Sequence, residues 1–91
     1  MNNKIRLQIK KELKFIYTQI DILNAYNPYR TTETDRDRIS KAETRCYMLT
    51  NICEALEADD IISHELYMDV WQKCSELLNE LTRQKNNILS A

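Results

Sequence analysis

A chain of 91 residues, 43% hydrophobic and 30% charged, has the make-up of one folded domain and is too apolar for a disordered tail. Its formal net charge of −1 argues against nucleic acid as a partner, and its apolar runs are far too short to span a membrane. There is no glycine, which disfavours sheets joined by tight hairpins, and the three cysteines lack a disulfide-framework spacing, as fits a reducing cytoplasm.

The opening residues MNNKIRLQIKKELK carry charge at nearly every turn and do not read as a secretory leader. From there Ile5, Ile9, Leu13, Ile16, Ile20 and Leu23 recur at steps of three and four, which stacks them on one face of a helix predicted over about 3–26. Asn2 or Asn3 is suited to cap its start, and Asn27-Pro28 ends it.

The connection that follows invites two readings. Thr31, Thr32, Tyr29, Arg30 and Arg36 at the start of a second helix could hold a phosphate or nucleotide against free backbone N–H groups. Yet Glu33, Asp35 and Asp37 cancel Arg30, Arg36 and Arg38 one for one, and no glycine lets a backbone approach an anion. A capped turn, with Thr32 and Asp35 in a capping-box relation and exposed ion pairs of little energetic weight, is the better expectation.

The second helix is predicted over about 34–58, where Ile39, Ala42, Cys46, Leu49, Cys53 and Leu56 alternate three- and four-residue steps as a heptad seam does. A corner follows in which Ser63 is the expected N-cap, with Ile62 and Tyr67 spaced as a hydrophobic staple across it. The third helix, over about 63–88, repeats the seam with Leu66, Val70, Cys74, Leu77, Leu81 and Ile88. Short connections make neighbours antiparallel, so the expected fold is all-α: an antiparallel three-helix bundle with coiled-coil-like seams, in one domain over 1–91.

Each helix also carries a second apolar stripe. Phe15, Ile22 and Tyr26, then Met48 and Ile52, then Tyr67 and Trp71 widen the three faces beyond what one core needs. Surplus apolar surface marks interaction sites, and a two-fold copy is the simplest way to cover it. Those seven residues are therefore the expected interface, with a homodimer expected.

Catalytic and metal chemistry find no support. Cys46 and Cys53 are two helical turns apart, too far to share one zinc, and His64 has no second histidine at zincin spacing. No paired carboxylates, nucleophile–base set or glycine-rich loop emerges. The sequence thus reads as a cytoplasmic, non-enzymatic protein–protein interaction module without cofactor, an adaptor, inhibitor or immunity-type regulator of the kind bacteria and phages encode. The other reading is an anion-binding module at the first connection.

Overall fold

A computed structural model describes residues 3–90, with no side-chain description for residues 89 and 90. It is an all-α three-helix bundle: α1 (Asn3–Asn24), α2 (Thr32–Ala58) and α3 (His64–Ser90), measuring 46 × 21 × 15 Å. A helix of 27 residues is about 40 Å long, so α2 and α3 run nearly its full length. The proposed cap Asn2 lies outside the described residues. No described helix is long and apolar enough to cross a membrane.

The three seams make the core. Ile9, Leu13, Ile16, Ile20 and Leu23 of α1 meet Ile39, Ala42, Cys46, Leu49 and Cys53 of α2 and Val70, Cys74, Leu77 and Leu81 of α3, with Ile62 buried at the corner. Ile5, Leu56, Leu66 and Ile88, at the seam ends, pack against it only in part, since each seam runs out where the bundle does. α2 and α3 share the largest interface, and α1 lies across both.

Polar pairs report the register. Arg38 donates to Gln19 Oε1 at 2.6 Å, and one heptad along Arg45 pairs with Glu12 at 3.1 Å, so α1 and α2 run antiparallel. α3 returns alongside α1, with Gln84 Nε2 donating to Asn24 Oδ1 at 2.6 Å. This topology puts the basic start of α1 at the same end as the acidic α2–α3 corner.

That corner is closed without glycine. Asp60 takes φ 58, and its N–H donates to the Glu57 carbonyl at 3.0 Å while the Ile61 N–H donates to Leu56 at 2.8 Å, the paired bonds of a Schellman motif. Ser63 then caps α3 as expected, its hydroxyl accepting from the Leu66 N–H at 3.1 Å, with Ile62 buried and Tyr67 half-buried on the core beside it. His64 Nδ1 lies 2.8 Å from Glu57 Oε1 and ties the two helix ends together.

An aspartate in the left-handed region carries both a Cβ penalty and a negative charge at the negative end of α2. Asp60→Gly removes both and is expected to raise stability by about 1 kcal/mol, whereas Asp60→Val should lower it. Urea denaturation followed by circular dichroism measures the difference.

Candidate functional site

The first connection is built as a turn and a cap. Asn27 and Pro28 open a β-turn closed by the Arg30 N–H donating to the Asn27 carbonyl at 3.2 Å, with Asn27 Oδ1 accepting from the Tyr29 N–H at 3.0 Å. Thr31, not Thr32, is the N-cap. Its backbone is extended (φ −107, ψ 157), its hydroxyl accepts from the Thr34 N–H at 3.1 Å, and α2 therefore starts two residues before the predicted position. α1 correspondingly ends at Asn24 rather than Tyr26.

Arg30 joins the two helices. Its Nη1 donates to the Ile22 and Ala25 carbonyls at 2.6 and 2.8 Å, placing a full positive charge at the negative end of α1, and its Nε lies 2.9 Å from Asp35 Oδ1 in the first turn of α2. Asp35 Oδ1 is buried and makes no well-aligned hydrogen bond, so the charge of Arg30 is what offsets its desolvation. The expectation of an energetically slight, exposed pair is thus corrected at this one position: the side chains are only 22% and 13% exposed.

The residues grouped as a possible anion site are brought together only in part. Arg30 and Thr32 border a concavity toward Gln84 and Asn87, whereas Arg36 borders another with Ser40, Glu43 and Lys85. Tyr29 is 90% exposed and Thr31 is spent on its cap.

A different concavity gathers apolar side chains. Between α1 and α2 lies a groove of about 290 Å³ whose walls are Ile5 and Ile9 on one side and Met48, Leu49, Ile52 and Leu56 on the other. Its far end is closed by Glu12 and Arg45, whose guanidinium also stacks 4.7 Å above the Phe15 ring. Met48 and Ile52 are each 53% exposed on its lip. A seam residue and its neighbour one turn away face the same gap, which is why the two stripes of α2 merge here.

Of the seven expected interface residues, only Met48 and Ile52 line this groove. Phe15 is covered from within the chain by Arg45, and Tyr67 packs on the core. Ile22 and Tyr26 lie by the first connection, and Trp71 borders a shallow concavity formed by α3 alone with Glu65, Met68, Asp69 and Gln72. Tyr47, exposed and outside both stripes of α2, was not anticipated. Its place four residues from Glu43 and three from Thr50 puts it on the α3 flank, and an aromatic off the seam period was the only available signal.

The three thiols are all buried and unpaired by disulfide. The hydrogen bond with Cys74 and burial push the Cys46 thiol far up, and burial pushes Cys53 up. Cys74 differs, drawn down by the hydrogen bond from Cys46. Among the described residues, no three His, Cys, Asp or Glu side chains converge as metal ligands would.

Comparison with protein-family models, with curated proteins and with solved structures finds no match.

Two outcomes are expected. Arg30→Ala strips two carbonyls and a buried carboxylate of their partner and should cost about 2 to 3 kcal/mol, while Arg36→Ala should change stability by less than about 0.5 kcal/mol; thermal melts of the two variants decide. All three thiols are buried and should resist a disulfide-exchange reagent in the native state, because access limits them, and should react together in urea.

Proposed function

We propose that this chain is a small, non-enzymatic, cytoplasmic protein–protein interaction module, an adaptor, inhibitor or immunity-type regulator of bacterial or phage origin. It docks through the α1–α2 groove and self-associates as a homodimer, making coiled-coil-like contacts across that face. The observation that carries this reading is the groove itself: an open apolar concavity lined by residues of two helices, with Met48 and Ile52 half exposed above it. Large apolar side chains left over a concave apolar floor are what helix-in-groove recognition uses.

The rim supports the same use. Gln8, Glu12 and Arg45 are the polar members of the wall, a polar edge around an apolar centre of the kind interfaces have.

Light scattering coupled to size exclusion at micromolar concentration should give about twice the 10.9 kDa chain mass. Ile52→Glu places a charge on the lip of the groove without touching the buried core. It should yield a monomer with unchanged helicity by circular dichroism. A wild type that is monomeric at every concentration overturns the homodimer.

A further inference from the structure

Beside its buried seam, α2 with its C-cap carries an exposed one: Lys41, Arg45, Met48, Ile52, Ala55 and the C-cap Asp59, at steps of four, three, four, three and four. Read from either end the positions match about residue 50, with 41 opposite 59, 45 opposite 55 and 48 opposite 52. The chemistry changes sign across that centre. Two bases stand at one end, an acid at the other and two large apolar side chains between them.

We propose that the occupant of the α1–α2 face is a second copy of this chain, crossing antiparallel so that the two α2 helices pair about a two-fold axis level with residue 50. This deepens the homodimer reading and rests on it. The charges choose the direction. A parallel pair sets each Lys41 beside the other Lys41 and each Asp59 beside the other Asp59, whereas the antiparallel pair brings Lys41 to Asp59 of the second copy at both ends. Met48 then meets Ile52 of the second copy, twice, directly over the groove floor.

The remaining position fits the same crossing. Arg45 is already engaged with Glu12 at 3.1 Å and with the Phe15 ring, and the residue opposite it is Ala55, which leaves those contacts room and asks for no new one. Lys41 is held only by an exposed pair with Asp37, its side chain 70% exposed, so its ammonium can reorient at little cost. Asp59 contributes to the end of α2 through its backbone N–H, which a substitution of the side chain leaves in place.

Charge reversal tests the arrangement. Sedimentation equilibrium at low salt is measured for wild type, Lys41→Glu, Asp59→Lys and the double variant, with circular dichroism confirming that each is folded. Each single change turns two attractive pairs into repulsive ones and should weaken dimerisation about 10-fold, and the double change should return it to within about 3-fold of wild type. The single-variant losses should shrink at high salt. A dimer that is indifferent to the single changes, or that the double change fails to restore, overturns the antiparallel α2 pairing while leaving the homodimer standing. A wild type that never dimerises removes both.

Discussion

Arg30 is the joint at the first reversal of the chain, where the end of α1 and the start of α2 meet on one side chain. One guanidinium collects the last carbonyls of α1 and the first-turn carboxylate of α2, so the negative end of one helix dipole and the anion favoured at the positive start of the next share a single cation. α1 has no basic residue in its own last turn, and α2 has two acids in its first. The compensation missing within α1 comes from the loop. A side chain that would otherwise wander in water is thereby held partly buried at a joint.

The far corner solves the same reversal by other means. There the backbone does the work, through the left-handed Asp60 and the Ser63 cap, and His64 with Glu57 adds a side-chain tie. Side-chain capping at one end and a Schellman turn at the other let a chain with no glycine turn twice.

Periodicity made the seams readable. Steps of three and four define which side of a helix is buried whatever it packs against, and Ser63 followed by an acid declares a helix start locally. The groove was not readable in the same way, because it depends on the register of α1 against α2 and on the distance between their axes. Arg30 was misread because its partners are carbonyls five and eight residues earlier, and a backbone carbonyl leaves no trace in a sequence. The Thr31 cap escaped for a smaller reason: two adjacent threonines each had an acid or a hydroxyl at capping distance, and only the local backbone decides between them. Phe15 and Tyr67 stand on the second stripes yet pack partly against the core, because stripe arithmetic places Cβ directions and says nothing of how far a neighbouring arginine or a wide core reaches around to cover a ring.

The cysteines and Ala42 have a consequence of another kind. Cys46, Cys53 and Cys74, with Ala42, put small side chains into the core between α2 and α3, whereas α1 brings only isoleucine and leucine to its buried seam. Interaxial separation follows the bulk of the residues in contact, over about 8 to 10 Å. The α2–α3 pair accordingly packs more closely than α1 does against either of them, and the furrow opens on the side of the looser α1–α2 pair. Enlarging the thiols would spread the α2–α3 pair, and the furrow would change shape although no residue lining it had been altered.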